Sequence, residues 1–165
     1  MTPQETKQST RVLVVEDNPM DVRLLRYAMQ QEYNWPTETI VVDDGEKAIN
    51  LLLSVAEGAE ARPDFVILDL NLPKRDGTEV LGVIRNTKTL TTLPVAVLSS
   101  SPMDVIHDKV NDACLEANCY FTKPMHVDAF VPLIQSLRKC YERGRQAKDD
   151  TEQGPASPES RAARN

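Results

Sequence analysis

Asp64-Phe65-Val66-Ile67-Leu68-Asp69 sets four apolar residues between two acids, and the run breaks off in Leu70-Asn71-Leu72-Pro73. A short, β-branched-rich run bounded by turn residues is the pattern of a strand buried on both faces, as in a parallel sheet. Pro73, Asp76 and Gly77 enforce a loop straight after it. Asp69 is thereby a carboxylate at the C-terminal mouth of a buried strand, which in an open α/β sheet is where ligands bind.

The same grammar recurs on either side. Arg11-Val12-Leu13-Val14-Val15 reads as a first buried strand that ends abruptly in Glu16-Asp17-Asn18-Pro19. Asn18 suits an N-cap, Pro19 the first helical position and Asp21 the first turn. Val22, Leu25 and Met29 then repeat at helical spacing to about Gln31. A second strand is expected over Glu38–Asp43, and a helix after Asp44-Gly45-Glu46 carrying Ala48, Ile49, Leu51, Leu52 and Val55. Asp76-Gly77-Thr78-Glu79 has capping-box spacing, with Val80, Leu81 and Ile84 behind it. Pro94–Leu98 is a fourth strand. Ser101 and Pro102 read as cap and first turn of a helix to about Ala117. Cys119–Thr122 is a short fifth strand closed by Lys123-Pro124, and a last helix carries Val127, Phe130, Val131, Ile134, Leu137 and Tyr141. Pro132 removes a backbone donor there, so that helix starts late or kinks. Residues 1–9 read as a flexible N-terminus, 10–145 as one domain, and the polar segment 146–165 as a disordered tail.

Five strands alternating with five helices favour a parallel sheet covered on both faces. The 165-residue chain is long enough to bury a core without metal or disulfide staples. A net charge of −6 argues against direct nucleic-acid binding, which needs a basic surface. The three cysteines, Cys114, Cys119 and Cys140, are odd in number and lack CxxC spacing, so they are expected to be reduced thiols of a cytoplasmic protein. Met1–Thr10 lacks the apolar region of a signal peptide, and no apolar run approaches a membrane span.

The alternation places Glu16-Asp17, Asp69, Ser99 and Lys123 at the C-terminal ends of four strands. If those strands are neighbours, the five residues share one crevice. Clustered carboxylates repel, which leaves two explanations: one of them is protonated, or a cation neutralises them. Oxygen donors without His or thiolate suit a hard ion, of which Mg²⁺ is the common one that also works with phosphate. Glu16, Asp17 and Asp69, with a backbone carbonyl near Asn71, can hold it. Asp69 can act as a phosphoryl-accepting nucleophile, with the Lys123 ammonium and the Ser99 hydroxyl facing phosphoryl oxygens.

These residues resemble the receiver domain of two-component response regulators. The matching runs are Val-Leu-Val-Val-Glu-Asp-Asn, Val-Ile-Leu-Asp-Leu-Asn-Leu-Pro with Asp76-Gly77, Val-Ala-Val-Leu-Ser, and Tyr-Phe-Thr-Lys-Pro, over about residues 10 to 143. The resemblance implies a flavodoxin-like, doubly wound α/β fold with strand order 2-1-3-4-5. It further implies phosphorylation of Asp69 by a sensor histidine kinase. Mg²⁺ would sit on Asp17 and Asp69, with Glu16 helping through water and Asn71 offering its carbonyl. Ser99 and Lys123 would bind the phosphoryl group, and Ser99 and Tyr120 would act as the switch pair. Asn71 and Ser101 occupy the positions that tune dephosphorylation, and the Lys123–Pro124 bond is expected to be cis.

The long connection after Leu53, together with Asp-Leu-Asn-Leu-Pro-Lys and Asn-Cys-Tyr-Phe-Thr-Lys, is most similar to single-domain regulators paired with bacterial phytochrome kinases. That implies a homodimer through the last helix or the fourth-helix/fifth-strand face. It also allows relay of phosphate to a histidine phosphotransfer protein. Phe130, Ile134, Leu137 and Tyr141 can serve either that interface or the core. Such a protein is a phosphoacceptor switch, not an enzyme acting on other substrates. An alternative is a Mg²⁺-dependent aspartyl-nucleophile phosphatase or phosphotransferase. Those enzymes usually place a second Asp two residues after the nucleophile as general acid, and Asn71 stands there.

Overall fold

The computed structural model describes residues 8–32 and 34–152. Five strands, β1 (Thr10–Val15), β2 (Thr37–Val42), β3 (Phe65–Leu68), β4 (Val95–Ser99) and β5 (Cys119–Thr122), alternate with α1 (Pro19–Gln31), α2 (Gly45–Ala56), α3 (Gly77–Asn86), α4 (Met103–Asp112) and α5 (Phe130–Glu152). The strands form one sheet, all pairs parallel, in the order β2-β1-β3-β4-β5. The flavodoxin-like architecture and strand order expected from the sequence are therefore present.

Strand alternation divides the core in two. Leu13, Val15, Val66, Leu68, Val95 and Val97 point to one face, where α2, α3 and α4 supply Ala48, Leu52, Leu81, Ile84, Ile106 and Val110. Val12, Val14, Phe65, Ile67, Ala96 and Leu98 point to the other, against Leu25 and Met29 of α1 and Leu133, Ile134 and Leu137 of α5. All four residues of β3 are buried, so the central run is apolar throughout rather than alternating. On the α1/α5 side, Trp35 stacks on Tyr141 with centroids 5.8 Å apart, and its indole N–H donates to Thr10 Oγ1 (3.1 Å). Phe130, Ile134 and Leu137 are core residues and Tyr141 packs partly buried against that core, so core packing takes the four side chains the sequence left between core and interface.

Capping follows the sequence at three helices. Asn18 Oδ1 accepts from Met20 N–H (2.9 Å), with Pro19 first in α1. Asp44 Oδ1 accepts from Lys47 N–H (2.7 Å). Asp76 and Glu79 form a complete capping box at α3. At α4 the expectation shifts by one residue: Pro102 is the cap position without a side-chain bond, and the Ser101 hydroxyl accepts instead from Asn71 Nδ2 (3.0 Å). α4 stops at Asp112, short of Ala117, because Cys114 adopts a left-handed backbone (φ 54°). Before α5 a 3-10 turn spans Val127–Ala129. Pro132 falls in the helix's first turn, where backbone N–H groups lack helical acceptors, so α5 starts late and runs on.

Three expectations need correction. Residues 146–152, read as tail, continue α5, with Thr151 Oγ1 donating to Ala147 O (2.8 Å) and Lys148 paired to Glu152. Extending an existing helix adds one bond per residue without a new nucleus. The rest of the tail, 153–165, and residues 1–7 of the N-terminal segment lie outside the described residues. No cis peptide bond occurs among the described residues, so Lys123–Pro124 is trans; the two isomers of such a bond differ by only about 0.5–1 kcal/mol, and the residue pair alone does not choose. Cys119 and Cys140 form a disulfide between β5 and α5, leaving Cys114 as an exposed free thiol. Spacing of 21 residues carries no signal for that pairing; the packing of α5 across β5 creates it.

Candidate functional site

Parallel pairing continues one residue beyond three strands. Glu16 N–H donates to Val42 O (3.0 Å), Asp69 N–H to Val15 O (3.0 Å) and Lys123 N–H to Ser99 O (2.8 Å). These bonds hold the three backbones at the same edge of the sheet, where the loops diverge. Glu16, Asp69 and Ser99 are buried there, and Asp17 is exposed. One carboxylate oxygen from each of Glu16, Asp17 and Asp69 lies within 4.8 Å of the others.

Lys123 Nζ sits among these acids. It lies 2.6 Å from Glu16 Oε2, 2.8 Å from Asp69 Oδ2 and 2.9 Å from Asp21 Oδ2. Burial alone would lower the ammonium's pKa, but its bonds to Asp69, Glu16 and Asp21 outweigh that and hold it above the usual lysine value. Burial pushes Glu16 up to about 7, against the bonds from Lys123 and from Asn18 N–H (3.0 Å) and with the Asp69 charge adding to it. The second Asp69 oxygen, Oδ1, accepts from Asn71 N–H (3.0 Å).

A second layer surrounds this centre. Asn71 Nδ2 donates to Ser99 Oγ (3.2 Å) and Ser101 Oγ (3.0 Å), while Asn71 Oδ1 accepts from Lys109 Nζ (3.0 Å). The Ser99 hydroxyl is thus tied to the loop after Asp69. Tyr120, opposite Val97 in the β4–β5 ladder, lies partly buried against the ring of His107 (centroids 4.8 Å). Its hydroxyl accepts from Ala117 N–H (2.8 Å). Gly77, first in α3, donates its N–H to Leu70 O (2.9 Å) and lies close against the Asp69 carbonyl, pinning the loop.

The structure therefore brings Glu16, Asp17, Asp69, Asn71, Ser99, Ser101 and Lys123 to one crevice, with Tyr120 on the neighbouring strand and Pro124 beside Lys123. Two participants were missed. Asp21 lies in the first turn of α1, and its bond from Lys123 spans 102 residues, so nothing in the local sequence announces it. Lys109 reaches Asn71 across 38 residues, and nothing local announces it.

The donor set fits a hard divalent ion: three carboxylates, with no His or thiolate among them. Carboxylates that share one ammonium can exchange it for such an ion. A general acid two residues beyond Asp69 is missing, since the Asn71 amide has no proton to give as an acid.

Comparison with known proteins agrees with this geometry. Residues 12–135 match the response regulator receiver domain family. The chain is 34% identical over 131 residues to response regulator Rcp1 of Synechocystis sp., covering 79% of this chain and 87% of Rcp1. Among solved structures it is similar to the phosphorylated cyanobacterial phytochrome response regulator RcpA. The identity is 36% and the TM-score 0.70, with 81% of this chain and 94% of that one covered. The Mn²⁺-bound form of Rcp1 gives 34% identity and a TM-score of 0.65, with 77% and 90% covered.

Proposed function

The chain belongs to the response regulator receiver family, and from that footing we propose that it stores a signal as an aspartyl phosphate on Asp69, taken from a sensor histidine kinase. The observation that carries this is the Asp69 carboxylate itself. It is buried at a strand end, shares an ammonium with Glu16, and lies within metal-sharing distance of two other acids.

Glu16, Asp17, Asp69 and the Asn71 carbonyl would hold Mg²⁺, which when bound neutralises charge developing on the phosphoryl oxygens. An Asp69 oxygen attacks phosphorus as the bond from phosphorus to the donor's imidazole nitrogen breaks, and the imidazole leaves with the bonding pair. Lys123, released from Asp69 Oδ2, turns its N–H to a phosphoryl oxygen. Ser99 exchanges its bond from Asn71 for one it donates to another phosphoryl oxygen. Tyr120 turns inward as it leaves Ala117 N–H. These contacts exist only in the phosphorylated form, and that difference is what shifts a two-state surface. Asn71 and Ser101 offer no base to activate water, so the phosphoryl group is expected to outlast seconds.

The likeness to the phytochrome response regulator RcpA supports a kinase of the phytochrome class; a cytoplasmic setting is part of the same proposal, and among the described residues no helix is long and apolar enough to cross a membrane. Val105 of α4, Val127 of the 3-10 turn and Val131 of α5 are exposed, which supports a homodimer through the last helix or the α4/β5 face. Onward relay to a histidine phosphotransfer protein uses the same aspartyl phosphate.

The test is phosphotransfer from a panel of histidine-labelled sensor kinases that includes the phytochrome class. Label is expected to pass to the wild type in Mg²⁺, fastest from the phytochrome class, and not to Asp69→Asn. No transfer from any kinase, or equal labelling of the variant, would overturn the assignment.

A further inference from the structure

We propose that Asp21 is a positioning residue that retains the Lys123 ammonium at the rim of the crevice when a divalent ion displaces it from Glu16 and Asp69; this rests on the aspartyl-phosphate reading above. An ammonium has three N–H donors. Those of Lys123 face three carboxylates, at 2.6, 2.8 and 2.9 Å. Two of those acceptors, Glu16 and Asp69, belong to the cluster whose oxygens converge within 4.8 Å, and Asp21 does not. A cation entering that cluster competes with the ammonium for Glu16 and Asp69 but leaves Asp21 alone.

Asp21 is built for the part. It stands in the first turn of α1, a place where acidic side chains suit the positive end of the helix dipole. The capping work of that turn is done by Asn18, whose side chain accepts from Met20 N–H, so the Asp21 carboxylate is left for Lys123. Its side chain is 21% exposed, against 3% for Glu16 and 4% for Asp69. The ammonium can therefore swing outward on Asp21 without losing its counter-charge, and can swing back toward a phosphoryl oxygen.

The experiment is Mg²⁺ titration by calorimetry of the full chain as wild type, Asp21→Asn, Lys123→Met and the double variant, each first checked for a cooperative thermal transition. Asp21→Asn is expected to weaken Mg²⁺ binding roughly three- to tenfold in the presence of Lys123, and by less than about twofold once Lys123 is Met, as a coupled pair requires. Asp21→Glu is expected to recover most of the affinity. An unchanged affinity in Asp21→Asn overturns the proposal. So does an equal loss with and without Lys123, which would make Asp21 only a contributor to the general negative field. Failure of the wild type to bind Mg²⁺ at all would instead defeat the aspartyl-phosphate reading on which the proposal stands.

Discussion

Gly77→Ala is expected to destabilise the protein by about 3 kcal/mol, lowering the thermal midpoint by roughly 10 °C, and to cut phosphoryl acceptance at Asp69. The reason is position and not backbone conformation, since Gly77 does not lie at positive φ. A Cβ there would overlap the Asp69 carbonyl oxygen and come within 2.6 Å of Leu70 Cα. Both obstacles are backbone, so neither can rotate aside. Relief requires α3 to back away, or the segment that carries Asp69 and donates Asn71 N–H to it to shift. Gly82 in the same helix is the control: its Cβ would meet only Leu115 Cδ1, at an ordinary 3.7 Å. Alanine there is expected to stabilise by about 0.5 kcal/mol through helix preference. Equal midpoints for Gly77→Ala and wild type would refute the close packing.

Reducing the Cys119–Cys140 bond is expected to cost about 3 kcal/mol, from the entropy an unfolded chain regains when a loop of this length opens. The midpoint should fall by roughly 10 °C in a dithiol. Thiol counting gives an independent readout. Without reductant, the folded protein should alkylate once, at exposed Cys114. After reduction and unfolding it should alkylate three times. In the reduced but still folded protein, Cys119, half-buried and accepting from Arg143 Nη2 (3.6 Å), is expected to react before Cys140, which is fully buried against the sheet. Three alkylations without reductant, or a midpoint indifferent to the dithiol, would contradict the bond.

Most of the fold was legible because it is written in short-range chemistry. The all-apolar run Phe65–Leu68, short and bounded by turn residues, reads as a strand covered on both sides, and Asn18-Pro19, Asp44 and Asp76-Gly77 mark helix starts wherever their side chains are free to cap. Ser101 failed as a cap for the same reason that it matters: Asn71, thirty residues earlier, engages its hydroxyl. The convergence of Glu16, Asp17, Asp69, Ser99 and Lys123 followed from their places at strand ends once the strand order was known. That order came from resemblance, because alternating strands and helices are compatible with several. What stayed hidden depends on contacts between distant segments. The Asp21–Lys123 pair spans 102 residues, the Lys109–Asn71 bond 38, and the disulfide is made by α5 lying over β5. The helical stretch 146–152 was hidden by composition, since its polar residues lie on a helix already nucleated within the core.

The central claim concerns one carboxylate, and intact mass tests it most directly. The purified chain is incubated with Mg²⁺ and a small phosphoramidate donor, beside Asp69→Asn and beside wild type with the Mg²⁺ chelated. The wild type is expected to gain a single phosphoryl group, located to Asp69 by fragmentation, and both controls to gain none. A phosphoryl group found on another residue, or gained equally by Asp69→Asn, would contradict the account.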